Sequence, residues 1–191
     1  MDAEEIDRAL RDVAARLTAK GVTTDIRLVG GAALILRHQA RANTGDVDAD
    51  IRGQHIDNVT REVALARGLD DDWLNSKATM FFPNVRDPEW ELLWTTGSVS
   101  VYAASDRTLL AMKLLAGRTN KDRGDIEFLL QKLWITNYEE AAAVFDEFYP
   151  QEIMKGKALL RAILSTSIET TAPTSAKSGA EDSTSGGNEP S

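Results

Sequence analysis

The sequence predicts an α+β fold, a small mixed sheet flanked by helices, with a C-terminal half that is entirely helical. Three observations carry this expectation. The order of signals is helix, strand, helix, strand, helix, a few strands, then helices to the end. Residues 46–51 alternate acidic and apolar side chains strictly, the period of a strand. Capping and breaking residues sit where the periodic segments stop.

Taken in order, Ile6, Leu10, Val13 and Leu17 fall on one helical face, and Gly21 closes that helix. Residues 26–29 are short and β-prone. Gly30 and Gly31 follow, then an Ala/Leu/Ile-rich helix over about 32–41. After the strand at 46–51, a helix with Ile56, Val59 and Val63 inward runs to Gly68. Two or three strands are expected next, with 78–82, 90–94 and 98–103 as the candidates. Ser105 is a candidate N-cap for a helix ending at Gly117. Further helices are expected over 122–134, 138–148 and 151–164. These divide the chain into an α/β core at 1–104, a helical part at 105–165 and a tail at 166–191. The tail is rich in Ser, Thr, Gly, Pro and Glu and is expected to be disordered, because it has too few large apolar side chains to offset the entropy of ordering.

The totals narrow the function. The chain has 191 residues, 42% hydrophobic and 27% charged, as an ordinary globular protein does. It has no cysteine, which excludes disulfides, thiolate catalysis and Cys-ligated zinc. The acidic opening MDAEEIDRAL does not read as a secretory signal, and no apolar run is long enough for a membrane span. A cytoplasmic location and no membrane partner are therefore expected. The formal charge is −8, and the body stays acidic without the tail. That argues against sequence-blind nucleic-acid binding through bulk charge. It suits a protein that binds metal ions or a basic partner.

The residues richest in chemistry lie between Arg27 and Asp50. Strand periodicity puts Asp46, Asp48 and Asp50 on one face, with Val47, Ala49 and Ile51 on the other. Three acids in phase repel one another, and a divalent cation removes the repulsion. Oxygen ligands of this kind suit Mg²⁺ or Mn²⁺. The bland reading of the same pattern is a solvated edge-strand face. Gly30 and Gly31 lack a Cβ, so a phosphate can approach their backbone, and the helix that follows points N–H groups at it. Alone, such a pair is more often a plain turn. Lys113 sits inside the apolar run LLAMKLLA, where a buried ammonium must meet an anion, either a phosphate or Asp125.

Gly-Gly on a strand–helix turn, followed by Thr44-x-Asp46-Val47-Asp48 on the next strand, resembles the nucleotidyltransferase superfamily signature. With the later run LLAMKLLAGR and then DRGDI, the chain is similar to the AbiEii/MenT-type bacterial nucleotidyltransferase toxins, over roughly residues 24–134. The resemblance implies that Asp46 and Asp48 ligate Mg²⁺ or Mn²⁺, and that Gly30, Gly31, Thr44 and Arg118 bind the NTP. It implies that Lys113 binds or polarises a phosphate and that Asp125 positions Lys113 or supports the acceptor. Enzymes of this kind move an NMP from an NTP to an acceptor that can be the 3′ end of tRNA, and a cognate antitoxin restrains them. The chain departs from the wider superfamily in carrying glycine where serine is common. The usual third carboxylate has Asp50, Glu89 and Glu91 as candidates.

Other residues weigh less. The basic run Arg118, Lys121, Arg123 is either a solvated turn or a phosphate or RNA contact. Thr44 either orients Asp46 through its hydroxyl or begins the strand. His38 and His55 are not at metal-ligand spacing and read as structural. Trp73, Trp90, Trp94 and Trp134 read as core or interface rather than base-stacking platforms. Two rival functions stay open: transfer to a protein or small-molecule acceptor, and a catalytically inert interaction module. Nothing in the sequence fixes the oligomeric state.

Overall fold

The expected α+β fold is present in a computed structural model, which describes residues 1–171. Seven α-helices surround a five-stranded mixed sheet among these residues. Helix α1 (Ala3–Ala19) starts with a capping box, in which Asp2 and Glu5 satisfy each other's backbone N–H groups. Its face of Ile6, Leu10, Val13 and Leu17 is fully buried, as the spacing predicts. The chain then forms β1 (Thr24–Leu28), α2 (Gly30–His38), β2 (Val47–Ile51), α3 (Ile56–Arg67) and a two-residue β3 (Leu74–Asn75). Strands β4 (Trp90–Thr96) and β5 (Val99–Ala104) form a hairpin with a register shift between Leu92 and Trp94.

Strand order is β3-β2-β1-β5-β4. Strands β1 and β5 run parallel, while β1 and β2 run antiparallel with Ile26 opposite Ile51, Arg27 opposite Asp50 and Leu28 opposite Ala49. That register has a consequence for the site. The end of β1 and the start of β2 lie at the same edge of the sheet, where the Val29 N–H donates to the Asp48 carbonyl at 3.0 Å. Ile26, Leu28, Val47, Ala49, Val99, Val101 and Ala103 are buried beneath α1 and α2. Each large apolar side chain removed from water in this way contributes about 1.5–3 kcal/mol. The alternate residues Arg27, Asp48, Asp50, Ser100 and Tyr102 are only half-buried.

The C-terminal part is helical: α4 (Asp106–Ala116), α5 (Thr119–Lys132), α6 (Tyr138–Phe148) and α7 (Lys157–Thr171). Helix α4 is its centre. Ser105 caps it by accepting from the Thr108 N–H, and Gly117 ends it in a left-handed conformation, as expected. Every residue from Thr108 to Leu115 is buried, because α4 packs against both α5 and α6.

Several expectations change. Residues 78–82 are not a strand: Lys77–Phe81 is a short 3-10 helix. The Ser76 carbonyl accepts both the backbone N–H and the hydroxyl of Thr79, closing a tight turn in place of a ladder. Helix α5 starts at Thr119, three residues earlier than expected, and the final helix starts at Lys157 rather than 151. Helix α7 also runs through Thr171, past the expected start of the tail; the rest of that tail lies outside the described residues. Among the described residues, no helix is long and apolar enough to cross a membrane.

Candidate functional site

The site is a cleft of about 600 Å³ between the edge of the sheet and helices α4 and α5, within the range of small-ligand pockets. Gly30, Gly31, Thr44, Asp46 and Asp48 line one side. Lys113, Arg118, Lys121 and Asp122 line the other, and Lys77, Met80 and Phe81 of the 3-10 turn form a third wall. All the residues assigned from the sequence to metal and nucleotide therefore border one space, while Asp125 stands behind Lys113.

The glycines are needed for a reason beyond phosphate approach. Gly30 has φ +65°, and a Cβ there would come within 3.2 Å of the Asp48 carboxylate. A Cβ on Gly31 would lie 2.9 Å from the Thr44 hydroxyl and 3.2 Å from a guanidinium nitrogen of Arg41. Both glycines thus let the start of α2 sit against the acidic strand. They are also the first two residues of the helix, which begins two residues earlier than expected. Its N-cap is Val29, which offers no side-chain acceptor, and its first turn holds no acid. Among the described residues no side chain therefore caps the first N–H groups of α2, whose positive dipole end faces the cleft.

Asp48 faces that end, and Asp46 lines the same cleft. Asp46 precedes β2 and accepts a hydrogen bond from the Asn75 amide at 3.2 Å. Burial pushes the Asp48 carboxyl above the usual carboxylate range, and the negative charge of Asp46 pushes it further. The N–H of Ala78 and the distant charges of Arg118 and Lys113 offset this only in part. Asp50 does not join them. It pairs with Arg52 at 3.1 Å, in a separate shallow depression with Asp25 and Arg27. The other candidates for a third acid are also engaged elsewhere: Glu89 accepts from the Ser105 hydroxyl, and Glu91 bridges Arg37. Among the described residues, no three His, Asp or Glu side chains cluster as a metal site. The Asp46 and Asp48 carboxylates still fit Mg²⁺, which commonly takes one or two protein carboxylates and completes its shell with water and phosphate oxygens.

Across the cleft, Lys113 is buried and meets two acids. Its Nζ lies 2.7 Å from both Asp122 Oδ1 and Asp125 Oδ2. The sequence pointed to Asp125 and missed Asp122, which is fully buried. The signal was present: acids three residues apart on one helix share a face. Burial alone would raise the Asp122 carboxyl. The charge of Lys113 and hydrogen bonds from Lys113 and Arg118 outweigh that and hold it below the usual range. Arg118 donates its backbone N–H and guanidinium to Asp122 while its side chain stays half exposed at the rim. Asp125 reaches a second cation, Arg41, at 3.3 Å.

Several lesser expectations resolve. Thr44 does not hydrogen-bond Asp46; its hydroxyl faces Gly31. His38 pairs with Asp106 at 2.8 Å against Phe128, a structural role, and His55 precedes α3 in a left-handed conformation. Trp73 is core, Trp90 and Trp94 are half-buried beneath Arg27 and Arg11, and Trp134 is exposed. Arg123 pairs with Glu127 along α5 and does not line the cleft.

Comparison of the chain with protein-family models, with curated proteins and with solved structures gave no match.

Proposed function

We propose that this protein is a metal-dependent nucleotidyltransferase that moves an NMP from an NTP to RNA, with the 3′ end of tRNA as the first acceptor to test. The observation that carries the reading is the meeting, in one cleft, of Asp46 and Asp48 with the uncapped start of α2 and the basic rim of α4 and α5. Phosphoryl-transfer catalysis is mostly positioning and charge neutralisation, which is what these groups offer. A Mg²⁺ or Mn²⁺ ion held by Asp46 and Asp48 would neutralise charge on the phosphate oxygens. The N–H groups of Gly30 and Gly31 take the triphosphate at the positive end of α2. Arg118 and Lys121 reach it from the rim. Lys113 commits two of its three N–H donors to Asp122 and Asp125 and keeps the third for the cleft. Leu109, Met112 and Phe81 supply apolar wall for the nucleoside. An acceptor hydroxyl then displaces pyrophosphate from the α-phosphorus. A toxin-like role restrained by an antitoxin, and a cytoplasmic location, belong to the same reading.

One observation favours a second reading. With no third acid clustered beside Asp46 and Asp48 among the described residues, an inert nucleotidyltransferase-like interaction protein is the competing account. The test is label transfer from each α-³²P-NTP, with Mg²⁺, to total RNA, comparing wild type with Asp48→Asn. A tRNA-sized band lost in the variant is the expected result. Label on a protein or small molecule instead would move the acceptor. Mg²⁺-NTP binding unchanged in an Asp46→Asn, Asp48→Asn double variant would sink the proposal and leave the interaction module.

A further inference from the structure

Arg41 carries a role that neither its sequence context nor the assignments above give it. It lies in the loop between α2 and β2 and lines the cleft. Its Nε donates to the Asn43 carbonyl at 2.9 Å, which fixes the side chain's base. One terminal nitrogen lies 3.3 Å from Asp125 and 3.2 Å from the position of a Gly31 Cβ. The guanidinium thus stands over the first turn of α2, beside the positive end of a helix that has no side-chain cap. Cations are disfavoured there, and α2 has no acid in its first turn to offset one. Asp125 is the nearest compensation, but it already binds Lys113 more closely, at 2.7 Å. The other terminal nitrogen, Nη2, has no protein partner among the described residues. A guanidinium presents a planar fork that matches phosphate oxygens in pairs.

We infer that Arg41 is a direct ligand of the polyphosphate chain, closing over the anion cradle at the start of α2, with Asp125 and Lys113 as its positioning residues. The inference rests on the nucleotidyltransferase reading for its substrate, but the anion site can be tested without it. An anion seated between the α2 N–H groups and Arg41 satisfies both positive groups at once. Lys113 holds Asp125 in place, and Asp125 holds Arg41 over the turn.

The probe is sodium tripolyphosphate in EDTA, titrated calorimetrically into the full chain. Arg41→Gln is expected to weaken binding at least tenfold, and Arg41→Lys to recover part of the loss. Asp46→Asn is expected to keep or improve it, because a repelling charge is removed. Since Arg41→Gln also removes the tie between the loop and α5, a second measurement needs no substitution. Phenylglyoxal modification of Arg41, read by peptide mass spectrometry, should slow several-fold with tripolyphosphate while exposed Arg8 is unaffected. A folded Arg41→Gln binding within twofold of wild type, or Arg41 modified equally fast with and without the anion, overturns the inference. Wild type that binds no tripolyphosphate overturns it too, even if label transfer to RNA is observed. Arg41 protection in a protein that neither binds Mg²⁺-NTP nor transfers label supports the anion site and removes the nucleotidyltransferase reading alone.

Discussion

Asp48 shows what the cleft costs a single residue. Its carboxyl is buried beside Asp46, and both effects raise its pKa above the ordinary 3.8. A raised carboxylate pKa means that the ionised form disfavours folding. The penalty is absent below about pH 3.8, grows as pH rises through the folded-state value, and is fully present at neutral pH. Asn keeps an oxygen to accept the Ala78 N–H and removes the charge. Asp48→Asn is therefore expected to raise Tm at pH 7 by about 1–3 °C without divalent ions, a gain that disappears near pH 3.5. Calorimetric melts at the two pH values check this. Asp122 has the opposite sign. Its lowered pKa contributes stability that is present above pH 3.8 and lost as pH falls through the folded-state value. Asp122→Asn leaves Lys113 with Asp125 alone and should cost about 3 kcal/mol at pH 7 by urea denaturation. The loss should narrow only below pH 3.8.

Helix α4 is the element on which the two sides of the cleft depend. It carries Lys113, packs against α5 and α6, and starts at Ser105. The Ser105 hydroxyl caps Thr108, contacts the Thr108 hydroxyl at 3.1 Å and donates to Glu89 at 2.8 Å, so the cap also ties α4 to the chain entering β4. Ser105→Ala is expected to cost about 1–2 kcal/mol, read as a lower urea midpoint with unchanged slope. At the other end, Gly117 has φ +63° and would place a Cβ 2.7 Å from the Lys155 backbone. The end of α4 and the segment before α7 therefore approach each other at backbone distance.

At the scale of the whole molecule, one buried apolar cluster joins α1 and the sheet to the C-terminal helices through α7. The α/β core and the helical part share this interior, so they should unfold together. Phe145 tests that expectation. It is 1% exposed, stacks on Tyr149 and lies outside the cleft lining. Phe145→Ala should cost about 3–5 kcal/mol and still give one transition, with coincident near- and far-ultraviolet circular dichroism curves.

The sequence by itself determined the α+β class, the buried face of α1, the caps of α4 and the alternation around Asp48. These follow from short-range periodicity and local hydrogen bonding, which neighbouring residues dictate. It also marked Gly30, Gly31, Asp46, Asp48, Lys113 and Arg118, because unusual residue types stood out against their local pattern. Only the tertiary structure decided which acids share a space. Asp50 is in phase with Asp48 along the chain, yet it pairs with Arg52 outside the cleft. Asp122 shares a helix face with Asp125, yet only packing brings both to Lys113, and Arg41 carried no local anomaly; their roles arise where α5 and the α2–β2 loop converge around Lys113 and Asp125. The 3-10 turn at Lys77–Phe81 was read as a strand because its side chains suit one, and a strand forms only where the sheet offers a partner. Long-range pairing of charges and strands is set by the packing of distant segments, and no local window contains it.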